Sequence, residues 1–365
     1  MLRLYLPAFI ISALICGGLT YYVKMIAIKL KLFDLPAPRK IHPNPLPRLG
    51  GVAIVLAFLI VLLGYVFASQ RLNFGGGSFF QIDKKIIGMA LGLIILLVVG
   101  VIDDIRGVAP LPKLFWQITS AVVVVAFGVS ISFLRLPFGE HINLTEPVFN
   151  FCLSGKCFQI EILADLLSIF WIVLLVNTFN FLDGLDGLAD GIALIGVGVI
   201  FFLSVSLGQD ANALLAVIIA GVALGFLPWN FNPAKIFLGD SGSMALGYLL
   251  AVLAMISGGK LATSFLVLGI PVLDVGWVVL RRVFMGRSPM LADKKHLHHR
   301  LLTAGFSQRW AVIFLYIISL IFGLVALMST TQTKITAMII LIGLMTTLAF
   351  FLVVLELKRR GRQND

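Results

Sequence analysis

Long, uninterrupted apolar runs constrain this chain more than any other feature. Eleven can be drawn, at approximately 4–28, 50–68, 86–102, 114–134, 162–179, 190–207, 212–228, 241–257, 261–280, 310–329 and 335–355. Runs of about 18 or more apolar residues read as membrane-spanning helices, because roughly 20 residues cross the hydrocarbon core. Composition agrees: 60% of the 365 residues are hydrophobic and 12% are charged, against roughly 25% charged in a soluble domain. Outer-membrane barrels need alternating segments of about 10 residues, and no such alternation runs through the chain. The fold class is therefore an all-α polytopic membrane protein with about 11 transmembrane helices. The first run lacks the charged start and small-residue cleavage site of a signal peptide and is expected to be a retained span.

An odd number of spans puts the termini on opposite sides. Of 28 Lys and Arg, 19 fall in one set of alternate loops, 8 in the other, and Lys24 alone lies within a run. The positive-inside rule then places the N-terminus outside and the C-terminus in the cytoplasm. Lys84 and Lys85 run against this assignment but are outweighed. One transmembrane domain over residues 1–357 is expected, followed by a basic cytoplasmic tail at 358–365. The same distribution explains the net charge of +11 through membrane orientation rather than nucleic-acid binding. Three cysteines are too few for a disulfide framework or a zinc site. Cys152 and Cys157, in the outer segment 135–161, are compatible with either a small disulfide loop or two thiols; Cys16 reads as a buried small residue.

With only 17 Asp and Glu, their placement is informative. Asp103, Asp104, Asp183, Asp186, Asp190 and Asp240 gather at the inner ends of runs, and Asp274 lies inside the ninth. Carboxylates at membrane depth are expensive and mark function or a compensating partner. Asp190 and Asp293 read as solvated acids or partners of nearby Arg. The other five inner-end acids would repel one another on a common face unless a cation neutralises them. An oxygen-only donor set suits Mg²⁺, or Mn²⁺, rather than zinc.

Three inner segments carry chemistry. In Gly100-Val-Ile-Asp-Asp-Ile-Arg-Gly the adjacent acids point about 100° apart on a helix, so divided roles are expected. Asn177, Asn180 and Asp183 share one helical face by their i, i+3, i+6 spacing. Gly184 and Gly187 allow a turn there, and the helix that follows offers N–H groups to an anion. In the segment from Trp229 to Ser243, Asp240 and Ser241 stand at a helix start suited to phosphate oxygens or metal. Phe237 is placed to stack on a planar base. Two basic loops complete the pattern. Loop 31–49 is stiffened by prolines and carries Arg39, Lys40, His42 and Arg48. Loop 281–309 carries His296, His298, His299 and Arg300, a cation-rich cluster without cysteine that favours phosphate over metal. Carboxylates with Mg²⁺ between cationic loops at a bilayer surface fit a phosphorylated soluble donor meeting a phosphorylated lipid.

These motifs make the chain resemble the polyprenyl-phosphate N-acetylhexosamine-1-phosphate transferases, the family of bacterial MraY and WecA. Five segments match in the family's order: the Pro-rich loop ending Arg48-Leu-Gly-Gly, Asp103-Asp104, Asn177 to Gly187, Asn230 to Ser243, and His296 to Gly305. His296-Leu-His-His, with Ser288-Pro before it and Ala304-Gly-Phe after it, is similar to the WecA/TagO branch; Arg300 stands where the MraY branch has a third consecutive histidine.

The resemblance implies a reaction in which UDP-GlcNAc and undecaprenyl phosphate give undecaprenyl-diphospho-GlcNAc and UMP. It would initiate a cell-envelope polysaccharide (teichoic acid, O-antigen or a related glycan) at the cytoplasmic face of the bacterial inner membrane. It also implies that Asn180 and Asp240 hold Mg²⁺ against the donor diphosphate. Asp186, Asn230 and Phe237 would line the uridine site, and the His296–Arg300 segment would bind phosphate or the amino sugar. Asp103 and Asp104 would sit by the lipid phosphate. Asp183 joins the catalytic candidates, with Asn177, Arg48 and His42 as further ones. The choice of amino sugar, the downstream glycan and the oligomeric state, a homodimer included, stay open.

The expected chemistry is direct attack by a lipid-phosphate oxygen on the sugar-linked phosphorus. A phosphate monoester's second pKa is about 6, so the nucleophile is mostly deprotonated at neutral pH. Asp103 is then as well suited to orienting that phosphate as to accepting a proton. A covalent aspartyl-phosphosugar intermediate is the competing route. The rival from another class is a transporter of cations or lipid-linked sugars. It would place ionisable groups near mid-membrane on broken helices, whereas here most acids lie at run ends.

Overall fold

A computed structural model describes residues 2–35, 44–69, 72–75, 77–79, 82–135, 141–153, 156–258, 261–286, 297–329, 332–334, 336–347 and 351. In lipid every backbone polar group must be satisfied within the protein, and the apolar runs accordingly fold as helices. In chain order they are α1 (Leu2–Lys29), α2 (Gly50–Ser69), α3 (Lys84–Arg106), α4 (Pro110–Ala126), α5 (Ile162–Leu182) and α6 (Leu188–Ser206). Then come α7 (Asp210–Asn230), α8 (Gly239–Ile256), α9 (Leu261–Val267), α10 (Gly269–Phe284), α11 (Leu297–Thr303) and α12 (Gln308–Met328). Residues 332–334 and 336–347 are also helical. Four small antiparallel hairpins join the helices: β1 (Phe33–Asp34) with β2 (Leu46–Pro47), β3 (Ser78–Phe79) with β4 (Ile82–Asp83), β5 (Phe133–Arg135) with β6 (His141–Asn143), and β7 (Val148–Leu153) with β8 (Lys156–Glu161).

The chain is a polytopic helical membrane protein. Among the described residues eight helices are long and apolar enough to cross a membrane. The remaining three runs depart from the expected straight spans. The ninth is broken into α9 and α10, which meet at 81°. Pro271 lies just past the break; it has no N–H for the carbonyl four residues back, and its ring crowds that carbonyl. The fourth run gives a 17-residue helix that starts at Pro110, and the eleventh is described only in part. The β7–β8 register sets Cys152 opposite Cys157; their side chains lie outside the described residues. Cys16 is buried in α1 as a free thiol.

α8 is the central helix. From Ser241 to Met255 it is buried throughout, with α2, α3, α5 and α6 packed around it. Two long-range bonds seat it: Tyr248 donates its hydroxyl to the Met89 carbonyl at 3.1 Å, and the Trp171 indole donates to the Ala251 carbonyl at 3.3 Å. α1 packs on α7, and α12 packs on α6 and α9. Because α3 and α5 end where α6 and α8 begin, the acids that terminate these helices meet at one end of the bundle. The first loop closes over that end. Pro47 accepts from the Phe237 N–H at 2.9 Å, and the Gly50 and Gly51 N–H groups donate to the Phe237 and Leu238 carbonyls at 3.0 and 2.9 Å.

Candidate active site

A cavity of about 760 Å³ opens at this end, lined among others by Arg48, Asp103, Asp104, Asp183, Asp186, Asn230, Phe237 and Asp240. The two adjacent acids do divide their roles. Asp104 reaches from the end of α3 to the start of α8. Its carboxylate accepts from the Asp240 N–H (2.8 Å), the Ser241 N–H (3.2 Å) and the Ser241 hydroxyl (2.7 Å). It caps a neighbouring helix whose first N–H groups have no partner of their own. Gly239 makes room for this: it has φ 73°, and a Cβ there would stand 2.6 Å from both Asp104 carboxylate oxygens. Asp103 accepts from the Val108 N–H at 2.6 Å and pairs with the Lys113 ammonium at 2.6 Å. Lys113 forms a second ion pair with Asp240, so one ammonium bridges carboxylates from α3 and α8.

Asn180, on the last turn of α5, donates to Asp240 at 2.7 Å and to the Ser243 hydroxyl at 3.2 Å. Asn177, three residues earlier, is tied instead to Gln117 of α4 and to the Val173 carbonyl, both at 2.8 Å. The shared-face spacing therefore brings Asn180 to the acids and leaves Asn177 with α4. Asp183 caps α5 and lines the cavity. Burial, and then the carboxylates of Asp190, Asp240, Asp104 and Asp186, push its pKa well above the ordinary aspartate value.

The turn after Asp183 is held by side chains from three elements. Gly187 takes φ 79°, and its N–H donates to Asn230 Oδ1 at 2.7 Å; the other end of that amide donates to the Ile236 carbonyl at 3.0 Å. Asn230 is thus buried with both ends committed to backbone. The Tyr316 hydroxyl of α12 donates to the Gly187 carbonyl. Asp186 accepts from Asn232 Nδ2 at 2.9 Å and from the Ala234 N–H at 3.2 Å, while Asn232 also donates to Gln308 Oε1 at 2.8 Å. Arg48 pairs with Asp34 and reaches the Asp104 carbonyl at 3.5 Å.

His42 and His296 lie outside the described residues, as do Arg39, Lys40 and the side chains of His298 and His299. Arg300 is half-buried on α11. Asp274 accepts from the Leu297 N–H at 2.9 Å, fixing the start of that helix. Four residues at the site were not singled out from sequence: Asp34, Lys113, Asn232 and Gln308. Lys113 stands at the rim of an apolar run, a position that does not name its partners. Among the described residues no three His, Cys, Asp or Glu side chains form a metal-holding group. The oxygen donors that Asp240 and the Asn180 amide can offer are of the kind Mg²⁺ takes together with water and phosphate.

The family model of glycosyl transferase family 4 matches residues 86–258, which run from α3 through α8. The chain is 34% identical to the probable undecaprenyl-phosphate N-acetylglucosaminyl 1-phosphate transferase of Bacillus subtilis, covering 89% of this chain and 85% of the relative. The chain belongs to glycosyl transferase family 4. A second relative, the decaprenyl-phosphate N-acetylglucosaminephosphotransferase of Mycolicibacterium smegmatis, is 35% identical over 84% of this chain and 77% of its own length. The phospho-N-acetylmuramoyl-pentapeptide-transferase of Staphylococcus aureus is 28% identical over 77% and 84%. The resemblance to the MraY and WecA group read from the motifs therefore holds. The stretch matched to family 4 contains Asp103, Asp104, Asn180, Asp183, Asp186 and Asp240, and leaves Arg48 and the histidine segment outside it.

Proposed function

We infer that this chain transfers N-acetylglucosamine-1-phosphate from UDP-GlcNAc to undecaprenyl phosphate, releasing UMP, on the cytoplasmic side of a bacterial inner membrane. The observation that carries the reading is the contact of Asn180 with Asp240 at the rim of a cavity edged by carboxylates of α3, α5 and α8. The names of the Bacillus and Mycolicibacterium relatives support the sugar phosphate and a polyprenyl carrier. The excess of Lys and Arg in the loops on the cavity's side supports its facing the cytoplasm.

Asn180 and Asp240 would hold Mg²⁺, whose charge screens the donor diphosphate when bound. The chain's own residues do the positioning. Asp104 fixes the start of α8, so Asp240 presents its carboxylate from a helix N-terminus. Lys113 balances Asp103 and Asp240 and stands ready to pair with an incoming phosphate. Asp103, held by Val108 and Lys113, orients the lipid phosphate for direct attack. Asp186 and Phe237 line the donor's base end, where the Phe237 ring would stack on the uracil, and Asn230 behind them holds the turn at Gly187 and the Ile236 carbonyl in place.

The test is purified protein in detergent with undecaprenyl or decaprenyl phosphate, Mg²⁺ and a panel of UDP-sugars, reading UMP. Catalytic UMP release with UDP-GlcNAc that requires the lipid is expected. No UMP with any sugar would refute the transferase reading, and stoichiometric UMP without lipid would replace direct attack by the aspartyl route.

A further inference from the structure

Lys24 stands out as the one Lys or Arg inside an apolar run. It lies five residues before the end of α1, about 7.5 Å along the helix axis, and a lysine there reaches for the interface with its ammonium. Its Nζ is 5.9 Å from the Trp229 ring centroid, and the Lys235 Nζ is 5.7 Å from the same centroid. Two ammoniums therefore share one indole at the end of α7. Among the described residues neither is paired with a carboxylate.

Backbone already takes two of the carbonyls at the end of α7. Its Leu227 carbonyl accepts from the Phe231 N–H and its Trp229 carbonyl from the Lys235 N–H, both at 2.7 Å, so these carbonyls are already satisfied by backbone. Two like charges beside one ring repel, and the ring's quadrupole only partly offsets this. An anion that touches both would relieve it. The surroundings indicate which kind. Tyr21 packs against Trp229 with ring centroids 6.4 Å apart, and Tyr21 and Tyr22 are 50% and 65% exposed. Exposed aromatic residues beside lysines form the belt at which a membrane helix meets lipid headgroups.

We propose that Lys24, Lys235 and Trp229 form a binding site for the phosphate of an anionic phospholipid headgroup, in the leaflet on the cavity's side and outside the cavity itself. The ammoniums take the phosphodiester while the indole and Tyr21 pack on the glycerol and upper acyl chain. The site adjoins the reaction centre, since Asn230, Asn232 and Ala234 of the same connection line the cavity. A headgroup seated there braces the connection between α7 and α8.

The experiment uses the full chain in nanodiscs containing nitroxide-headgroup phosphatidylglycerol or the matching phosphatidylcholine. Quenching of Trp229 is obtained by difference against Trp229→Phe. Enrichment of the anionic lipid over the zwitterionic one by roughly five-fold or more is expected, since each lysine near the surface contributes about that factor. It should vanish in the Lys24→Gln/Lys235→Gln double variant, whose transferase activity in detergent is unchanged. Should the double variant fail to fold, Lys235→Gln alone, on an exposed side chain, should weaken the enrichment. Equal quenching by the two lipids, or enrichment that survives the substitutions, would overturn the site. So would displacement of the phospholipid by stoichiometric undecaprenyl phosphate together with a raised KM for the carrier, which would assign the lysines to substrate.

Discussion

Asn180 and Asp240 lie 60 positions apart in the chain, on α5 and α8, and their side chains meet at 2.7 Å. The amide and the carboxylate stand at the rim of the cavity, with the Lys113 ammonium on the other oxygen of Asp240.

Asp240→Asn removes the charge and keeps the shape. The Asp104 cap of α8 uses the Asp240 backbone N–H, not its side chain, so the fold should survive. Turnover at ordinary Mg²⁺ should fall by roughly 10²–10³-fold, the scale of losing one electrostatic group at a reaction centre. UMP-release kinetics with a thermal melt of the same sample checks both halves.

Lys113→Met leaves Asp103 and Asp240 facing each other without their bridging cation. Lys113 is 15% and Asp103 9% exposed, and breaking a buried pair by removing one partner costs about 3–5 kcal/mol. A lowered melting temperature is expected, partly restored by millimolar Mg²⁺ as a substitute cation. Equal stability of variant and unsubstituted protein would show that the bridge carries no load.

Much of this centre is legible in the sequence. A chain with so few acids puts most of them at run ends, and helical spacing links Asn180 to Asp183. The adjacency of Asp103 and Asp104 also announces two directions. Other features were not legible, for one physical reason: an apolar helix in lipid hides which face it buries, so a polar residue near its end gives no hint of its partner. Lys113 looks like one more basic residue until α4 packs on α3 and α5 and its ammonium reaches Asp103 and Asp240. Asn177 and Asn180 look equivalent until Gln117 takes the former. Gln308 carries no local signal and is recognisable only through Asn232. The bend at Pro271 was readable in principle, but the apolar run masks it by continuing past the proline.

Asp183→Asn tests the electrostatics of the metal-free cavity. Burial and four neighbouring carboxylates raise the Asp183 pKa, so the folded state holds its proton more tightly than the unfolded chain does. Stability is then highest below the unfolded aspartate range and falls as pH rises through the raised folded value. In EDTA the variant should melt higher than the unsubstituted protein at pH 7–8, with the difference shrinking toward pH 4. A difference independent of pH would contradict the assignment.

Gly239→Ala places a methyl group against the Asp104 carboxylate at a backbone angle that side chains rarely adopt. The start of α8 must shift, at a cost of about 1–3 kcal/mol. Activity should drop with the melting temperature, whereas alanine at Gly198, where a Cβ would meet nothing within 4 Å, should leave both unchanged.

Manganese makes the central claim directly measurable. Electron paramagnetic resonance of Mn²⁺ added with UDP-GlcNAc to detergent-solubilised protein should show a bound ion with phosphorus hyperfine coupling from the donor diphosphate. Both should be lost in Asn180→Ala and in Asp240→Asn. A bound ion with the same coupling in both variants would place the metal elsewhere and contradict the account.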